Sequence, residues 1–308
     1  MKKQIYIIGA GAIGKALAVF LKLTNRQVTL LRGSVDDGVH GLEKISVVLE
    51  DQILNAEIEV SSISNFQELD GIVVLTSKSF GNEKLAQALK GKTGNSPVIL
   101  LQNGLGVEQF FIDRDFPEIY RCVLFVTSQL MESGEVRFKP VSDCPVGTVK
   151  GSGLFLTEII DTLTTSWFRF VSEPHIQPVI WKKVIVNSVF NSVCPLLECD
   201  NGIFYRDNTA RQLAERIITE CLLIASEKGI ALSKAEVMES LLRISRFSDG
   251  QLISTLQDIR MGRRTEIATL NGAIVKIAQS LNLSHFVPET RFLWEMTRLK
   301  EELNLKNI

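Results

Sequence analysis

The apolar positions of the first 170 or so residues fall into short runs that are separated by longer mixed stretches. Three of these runs are Ile5–Ile8, Gly71–Thr76 and Val98–Leu101. Polar or glycine residues follow each run, and the first two lead on into a stretch with the spacing of a helix. Near-continuous apolar runs are typical of parallel strands that are buried on both faces. The alternation therefore predicts an α/β fold with a doubly wound parallel sheet.

Strand-like segments become more frequent between residues 121 and 149. They are Cys122–Val126, Glu135–Phe138 and Pro145–Val149, and glycines separate or follow them. Segments this close together favour hairpins. We interpret them as hairpins added antiparallel to the edge of the sheet.

The pattern changes to helices after Glu173–Pro174. Pro195 is expected to end the first helix, Gly229 to follow the second as a C-cap, and Ser233 with Glu236 to form a capping box for the third. The predicted helices cover about 177–194, 209–229, a stretch from 233, and about 249–261, 265–281 and 288–304. The second half of the chain is therefore predicted to be an all-helical domain.

The turn after the first apolar run has the sequence G-A-G-A-I-G over residues 9–14. The helix-forming run Lys15–Leu21 and a second apolar strand, Val28–Leu31, follow it. This order of strand, glycine turn, helix and strand is that of a dinucleotide-binding βαβ unit. The sequence thus predicts a Rossmann-type dinucleotide-binding domain over residues 1–173 and a helical substrate and catalytic domain over 174–308.

The three glycines of this turn have separate predicted roles. Gly9 permits the tight exit from the strand, Gly11 lets a pyrophosphate approach the backbone, and Gly14 lets helix and strand pack closely. The helix N-terminus offers N–H groups to the phosphates. An alternative, a signal peptide after Lys2–Lys3, is disfavoured because the glycines and Lys15 interrupt the apolar run. The candidate cofactor-binding residues here are Gly9, Ala10, Gly11, Ala12, Ile13 and Gly14.

Arg32 stands at the end of the second strand, where an NAD-binding unit usually carries an acidic residue for the ribose 2′-hydroxyl. A carboxylate would repel a 2′-phosphate, whereas a guanidinium can bind it through two parallel hydrogen bonds. The sequence therefore favours NADP(H) over NAD(H). An ordinary surface arginine is the alternative.

Lys78 and Asn103 follow the apolar runs that begin at Gly71 and Val98. Ligands of open parallel sheets bind beyond the carboxyl ends of the strands. Both side chains are therefore candidates for contact with the nicotinamide or the substrate. The alternative is that they are solvated loop residues.

Composition excludes several classes of function. The net charge of −1 gives no basic footprint for nucleic acid. The sequence contains no run of eighteen apolar residues, so it predicts no membrane span. The five cysteines are odd in number and include no C-x-x-C pair, which favours reduced thiols in a cytoplasmic protein and disfavours a metal site.

The first long helix of the second domain is apolar except for one polar stripe. Lys183, Asn187 and Asn191 are spaced i, i+4 and i+8, so they share one face. Buried amides and ammonium groups are costly unless they have partners. The stripe is therefore either an internal hydrogen-bond network or the wall of a polar cleft.

Several motifs resemble those of the ketopantoate reductases (2-dehydropantoate 2-reductases), and the resemblance spans nearly the whole chain. The matching stretches are residues 9–14 with Arg32, Gln102–Gly104, Trp181–Asn191, Asn201–Phe204, Ser254–Ile259, Gly262–Ile267 and Leu270–Gly272. The resemblance implies NADPH-dependent reduction of a small 2-oxo acid, 2-dehydropantoate, to pantoate on the way to pantothenate and coenzyme A.

The resemblance also implies roles for individual residues. Lys183 and Glu266 match the catalytic lysine and glutamate of the family. The residues matched to substrate contacts are Asn103, Lys183, Asn187, Asn191, Ser254 and Glu266, and Lys78 matches a position near nicotinamide and substrate. The chemistry fits, because an ammonium can stabilise and protonate the oxygen that a hydride transfer leaves negative. Structural roles for Lys183 and for Glu266, the latter in the first turn of a helix, are the alternatives.

Two departures from the family pattern are Ala268, where an aspartate is usual, and Val184, where leucine is commoner. Ala268 leaves room for a sister reductase that acts on another branched 2-oxo acid. A non-catalytic NADP(H)-sensing protein is a further alternative. The helical domain is compatible with a homodimer.

Overall fold

The computed structural model describes residues 3–33 and 38–306. It divides the chain into two compact units, Met1–Gln102 with Val107–Ile176, and Asn103–Gly106 with Gln177–Ile308. The first unit is built on a sheet and the second is helical, which confirms the predicted fold class. The segment 103–106 groups with the helical unit although it follows a strand of the sheet. The division of roles between a cofactor domain and a substrate domain stays a prediction.

The strands of the first unit form a single mixed sheet. They are β1 (Ile5–Ile8), β2 (Val28–Arg32), β3 (His40–Val48), β4 (Ile53–Ser62), β5 (Ile72–Leu75), β6 (Val98–Leu100), β7 (Ile119–Cys122), β8 (Val126–Leu130), β9 (Val136–Pro140), β10 (Cys144–Lys150) and β11 (Phe170–Ser172). Their order is β11-β10-β7-β6-β5-β1-β2-β4-β3-β9-β8. The neighbours from β7 through β4 are parallel, as the buried apolar runs predict.

The strands after residue 118 do not lie where the sequence placed them. β7 is parallel to β6, and only β10 adds antiparallel at that end. β8 and β9 do form a hairpin, but β9 pairs with β3 near the opposite end of the sheet. The prediction of hairpins at one sheet edge was therefore wrong. Periodicity reports which residues are extended, whereas tertiary packing selects the strand with which they pair.

The short connection between β9 and β10 shows that the sheet is curled, since only three residues join these two strands. A linker of this length spans about 14 Å, whereas eight strand spacings in a flat sheet cover about 38 Å. The helix α1 (Ala12–Leu23) fills the concave side and packs against β3, β4, β8 and β9. Phe20 of α1 contacts Phe138 edge-on and stacks on Trp167. The glycine turn at the start of α1 is therefore held by a well-packed core.

Three shorter helices complete the described part of the first unit: α2 (Asn82–Leu89), α3 (Gln109–Ile112) and α4 (Leu156–Leu163). α2 and α3 follow β5 and β6, and they cover the other face of the sheet with a second apolar cluster that includes Leu85 and Phe111. Burial on both faces explains why β1, β5 and β6 carry no charged or strongly polar residue.

The second unit is helical. Its helices are α5 (Ile176–Leu197, whose first residue belongs to the first unit), α6 (Ile203–Arg206), α7 (Asn208–Glu227), α8 (Lys234–Phe247), α9 (Ser254–Arg260), α10 (Asn271–Ser280) and α11 (Pro288–Lys306). The capping box of Ser233 and Glu236 and the positive φ of Gly229 are as predicted. Among the helices of residues 3–33 and 38–306, none has the length and hydropathy to cross a lipid bilayer.

Three predicted helix boundaries were wrong. α5 continues through Pro195 to Leu197. This is possible because proline removes one hydrogen bond in the last turn, and Lys300 Nζ donates to the Pro195 carbonyl over 2.7 Å. The helix predicted from residue 265 begins at Asn271 instead, and residues 265–270 form a turn held by side-chain-to-backbone hydrogen bonds. The helix predicted over 249–261 is also shorter, since α9 starts at Ser254.

Candidate functional site

The glycine turn is shaped by close packing against the segment that follows β5. Gly9 has a φ of +124°, and a Cβ atom there would lie 2.8 Å from the Cα of Ser77. A Cβ on Gly14 would lie 2.6 Å from Thr76 Oγ1 and closer still to the Gly9 carbonyl oxygen. Both positions therefore require glycine for the turn to form.

Gly11 differs from the other two glycines. It is exposed, and a Cβ atom there would have no described heavy atom within 4 Å. Packing does not require glycine at this position, whereas a pyrophosphate lying against the backbone would. α1 begins at Ala12 with no described side chain capping it, so its first N–H groups face this open space. Ala10, Ala12 and Ile13 are half-buried around the turn. This geometry fits a dinucleotide.

Arg32 is the last residue of β2 and is half-buried. It lies in register with Ser62 at the end of the parallel strand β4. The guanidinium is therefore at the carboxyl edge of the sheet, beside the strand that leads into the glycine turn. Residues 34–37, which continue from this edge, lie outside the described residues.

Lys78 and Asn103 fall in different units. Lys78 follows β5 and is half-buried within the first unit. Asn103 is also half-buried, but it belongs to the segment 103–106 that groups with the helices. Proximity of both residues to the nicotinamide stays a prediction.

The segment 103–106 docks on the turn that carries Glu266. The N–H of Leu105 donates to the Thr269 carbonyl over 2.9 Å. Gly104 has a φ of +107°, and a Cβ atom there would lie 2.5 Å from the Cβ of Thr269. The amide Nδ2 of Asn103 consequently reaches Glu266 Oε2 in a long hydrogen bond of 3.4 Å. Two predicted site residues that are 163 positions apart are thus brought together.

Glu266 is held by neighbours on both sides of its turn. Thr265 donates its backbone N–H, over 3.1 Å, and its hydroxyl to the same carboxylate oxygen of Glu301 on α11. Thr269 Oγ1 donates to the Glu266 carbonyl over 3.0 Å. The interpretation of Glu266 as a residue of the first helical turn was wrong, because α10 begins five residues later. The half-buried carboxylate instead stands on a turn of fixed shape.

The polar stripe of α5 divides into two parts. Lys183 and Asn187 are half-buried, whereas Asn191 is only 2% exposed. Asn191 Oδ1 accepts hydrogen bonds from Thr255 Oγ1 at 2.8 Å and from Ser254 Oγ at 3.2 Å, and its Nδ2 donates to the Asn187 carbonyl at 3.0 Å.

Asn191 therefore anchors the N-terminus of α9, since it also accepts from the backbone N–H of Thr255 at 3.3 Å. This interaction orients Ser254, which is exposed. Of the two interpretations of the stripe, an internal network describes Asn191. The other two polar residues, Lys183 and Asn187, are accessible enough to contact a ligand.

The family-like motif Asn201–Phe204 has a structural role within the second unit. Asp200 accepts hydrogen bonds from the Gly202 N–H at 2.7 Å and from Arg206. Burial raises the pKa of the Asp200 carboxyl, but the hydrogen bonds from Arg206 and the backbone outweigh it and hold that pKa below its ordinary value. Ser245 of α8 donates to the Asn201 carbonyl over 2.7 Å, so the motif connects α5, α6 and α8.

The sequence gives no signal for the role of some residues that support the site. Thr255, Thr265 and Thr269 lie inside or beside the recognised motifs, so their positions were marked but their roles were not. Glu301 is 36 residues from Thr265 and looks like any acidic residue on an exposed helix. Only the packing of α11 against the turn reveals it.

Two family models match the chain. The model described as ketopantoate reductase PanE/ApbA matches residues 5–151, and the one described as ketopantoate reductase PanE/ApbA, C terminal, matches residues 175–301. A 2-dehydropantoate 2-reductase of Pyrococcus horikoshii is 28% identical over 306 residues, which cover 97% of this chain and 98% of the relative.

Solved structures share the fold over almost the full length. D-mandelate dehydrogenase in a ternary complex with NADH and anilino(oxo)acetate superposes with a TM-score of 0.87 at 23% identity, covering 99% of this chain and 100% of that chain. A dimeric ketopantoate reductase from Staphylococcus aureus superposes with a TM-score of 0.82 at 19% identity, covering 98% and 99%. At these identities the likeness establishes the fold.

Proposed function

The chain belongs to the ketopantoate reductase family of oxidoreductases, and we propose that it uses NADPH to reduce 2-dehydropantoate to pantoate in the route to pantothenate and coenzyme A. The observation that carries the proposal is the hydrogen bond between Asn103 and Glu266. It joins two family-matched polar residues of the second unit that are 163 positions apart in the chain, as a substrate site built from distant segments requires.

The cofactor would be held by the glycine turn, with its pyrophosphate against Gly11 and the first N–H groups of α1. When bound, the nicotinamide supplies a hydride to the ketone carbon. Lys183 then has the role of the acid, because its ammonium stabilises the negative oxygen and delivers a proton to it. Glu266 accepts a hydrogen bond from the substrate hydroxyl, and Asn103 keeps this carboxylate oriented.

The remaining polar residues of the second unit recognise the substrate. Asn187 and Ser254 are accessible and carry neutral donors suited to a carboxylate or a ketone. Asn191 contributes indirectly, because its side chain holds Ser254 and α9 in place. These roles account for the family-matched residues of the helical unit without a metal ion.

A substrate panel tests the reaction. We expect oxidation of NADPH with 2-dehydropantoate and far slower oxidation with 2-oxo-isovalerate, which lacks the hydroxyl. A site built to bond a hydroxyl can reject an analogue without it by ~10⁴. Equal rates with the two acids would favour the sister reductase. The comparison with 2-oxo-isovalerate is needed because Ala268 departs from the family pattern. Cofactor binding without turnover of either acid, or of the 2-oxo acid that corresponds to mandelate, would favour a sensing protein.

The proposed preference for NADPH rests on Arg32. A charged hydrogen bond contributes about 1.5–3 kcal/mol, which corresponds to roughly 10- to 100-fold in affinity. We expect kcat/KM to favour NADPH over NADH by that factor and Arg32→Ala to remove most of the difference. Arg26→Ala is the matched control, since Arg26 precedes the opposite end of β2 and donates to the Thr24 carbonyl. An unmodified protein that uses both cofactors equally would contradict the proposal.

A homodimer through α11 is part of the proposal. Phe292, Met296, Leu299 and Leu303 are exposed and spaced so that they form one apolar face. The S. aureus relative is described as dimeric. We therefore propose that a second copy of this chain covers the apolar face of α11. Light scattering should give twice the chain mass of 34.3 kDa. Leu299→Glu should give a monomer, whereas Leu154→Glu, at an exposed leucine of the first unit, should not.

We also infer a cytoplasmic location. The five cysteines, all within the described residues, form no disulfide, and reduced thiols persist in reducing compartments. Titration of five thiols in freshly purified protein is the corresponding measurement.

A further inference from the structure

The chain leaves the first unit after Gln102 and returns to it at Val107. The excursion is four residues long and carries Asn103. It contains Gly104 and Gly106, with φ values of +107° and +67°. Two glycines make so short a segment intrinsically soft. Its position must therefore be imposed in part from its two flanks.

Asn82, at the start of α2, connects the two flanks. Its side chain is fully buried, and Nδ2 donates to Gln102 Oε1 and to the Val107 carbonyl, each over 2.7 Å. In return, Gln102 Nε2 donates to Asn82 Oδ1 at 2.8 Å and to the Ser77 carbonyl at 2.7 Å. The backbone carbonyls of Val107 and Ser77 can only accept hydrogen bonds. They therefore set the orientation of the Asn82 and Gln102 side-chain amides. The Ser77 bond also holds the residue before Lys78.

Arg121 of β7 makes a second connection across the same gap. It is 2% exposed, and its guanidinium pairs with the Glu108 carboxylate and donates to the Gln102 carbonyl over 3.2 Å. An ion pair this deeply buried contributes little net stability compared with apolar residues of the same size. What it supplies is geometry, because the guanidinium fork fixes two acceptors at a set separation.

We propose that Asn82 and Arg121 are positioning residues, which hold both flanks of the segment 103–106 and thereby set the place of Asn103 beside Glu266. The inference rests on the proposed function only for the catalytic readout. The structural part concerns the segment itself and is measurable without a substrate.

The catalytic test is a double-mutant cycle with Asn103→Ala. Arg121→Lys keeps the charge but loses the fork, and we expect it to lower kcat/KM roughly 10- to 100-fold, the scale of a misplacement of about 1 Å. In the Asn103→Ala background the same change should cost less than about twofold, because the positioned group is already absent. Multiplicative effects of the two changes would overturn the proposal.

The structural test is hydrogen exchange at Leu105, whose N–H is bonded to the Thr269 carbonyl. Arg121→Lys and Asn82→Asp should each raise its exchange rate at least about tenfold. An unchanged rate would overturn the proposal whether or not the protein reduces any 2-oxo acid. Conversely, faster exchange in a protein that is inactive on the whole panel would uphold the positioning role and reject the proposed function.

Tyr120→Phe is the matched control. Tyr120 precedes Arg121 on β7, is fully buried, and donates to Glu118 over 2.7 Å. Its replacement removes a buried hydrogen bond from the same strand without touching the flanks. We expect the melting temperature to fall by a few degrees. The value of kcat/KM and the exchange rate of the Leu105 N–H should stay unchanged. If Asn82→Asp fails to fold, Arg121→Lys and this control carry the test by themselves.

Discussion

The helices α1 and α5 are both deeply buried, yet they contribute to the candidate site in opposite ways. Residues 16–21 of α1 are apolar and fully buried, so α1 offers only the backbone at its N-terminus. α5 has apolar faces too, but it carries Lys183, Asn187 and Asn191. A site made of backbone depends on close packing, whereas a site made of side chains depends on partners for each polar group.

The polar groups of α5 show what such partners require. Asn191 needs Ser254 and Thr255 from α9, and the Ser188 carbonyl accepts hydrogen bonds from Ser192 at 2.7 Å and from Asn271 at 3.1 Å. A buried polar group without such bonds would cost about 1–3 kcal/mol. α5 therefore forms its polar face only together with α9 and α10, while the buried stretch 16–21 of α1 needs only apolar neighbours.

The largest expected effect is on the side chain that makes α5 chemically different from α1. Lys183→Ala should lower kcat by ~10²–10⁴ if the ammonium is the acid. Cofactor affinity, followed by nicotinamide fluorescence, should stay within about twofold, because the glycine turn is unchanged. Lys182→Ala is the control, since the neighbouring lysine pairs with Glu236 at 3.5 Å. Turnover near that of the unmodified protein would return Lys183 to a structural role.

The glycines at the start of α1 test the backbone site. Gly14→Ala introduces a Cβ against the Gly9 carbonyl and Thr76, and overpacking of this kind costs about 1–3 kcal/mol in the free energy of unfolding. Gly11→Ala meets no described atom and has an allowed φ of −81°, so stability should hold or rise by about 0.4–1 kcal/mol.

Cofactor affinity separates the two glycine variants. Gly11→Ala should still weaken NADPH binding by about tenfold or more, since a methyl group would stand where the pyrophosphate approaches. Thermal unfolding with and without NADPH measures both quantities on one sample. A Gly11→Ala protein that binds as tightly as the unmodified one would place the pyrophosphate elsewhere.

The two asparagines of α5 test whether the stripe has two functions. Asn191→Ala leaves Thr255 without its acceptor, and we expect a loss of about 1–3 kcal/mol in the free energy of unfolding. Asn187→Ala, at a half-buried position, should change stability by at most about 0.5 kcal/mol but lower kcat/KM about 10- to 100-fold if its amide binds the substrate. Urea denaturation and steady-state kinetics on both variants give the comparison. The same profile for both would mean that the stripe acts as one unit.

The smallest expected effect is at the C-terminal end of α5. Hydrogen bonds from Lys300 and then from Arg260 hold the pKa of Glu198 below its ordinary 4.5. A lowered pKa adds stability above pH 4.5, and this contribution is lost as the pH falls through the folded-state value. Glu198 is half exposed, so Glu198→Gln should cost at most about 1 kcal/mol at pH 7.

The pH dependence is the measurement that checks the role of Glu198. The difference between the two proteins in denaturant unfolding should shrink towards zero below pH 4.5. Glu302→Gln, at an exposed i,i+4 pair on α11, is the control and should show a smaller difference. If the difference in the free energy of unfolding between the two proteins grew on acidification, the inferred lowering of the Glu198 pKa would be contradicted.

Local signals in the sequence were enough for the backbone site. Strand, glycines and helix follow one another within about thirty residues, and each glycine can be assigned by the φ value or close approach that it permits. The same holds for the capping box at Ser233 and for the apolar runs of β1, β5 and β6. Such features depend on neighbours along the chain, so they are readable without the fold.

The sequence by itself determined the fold class, the glycine turn at residues 9–14 and the polar spacing on α5, because periodicity and turn chemistry are local. Tertiary structure alone decided the distant strand pairing of β9, the turn at residues 265–270, and the contact of Asn103 with Glu266. It also gave Asn191 its partners on α9 and Glu301 its place beside Thr265. These features depend on which of several compatible surfaces pack together, and that choice is a property of the whole chain rather than of any one stretch.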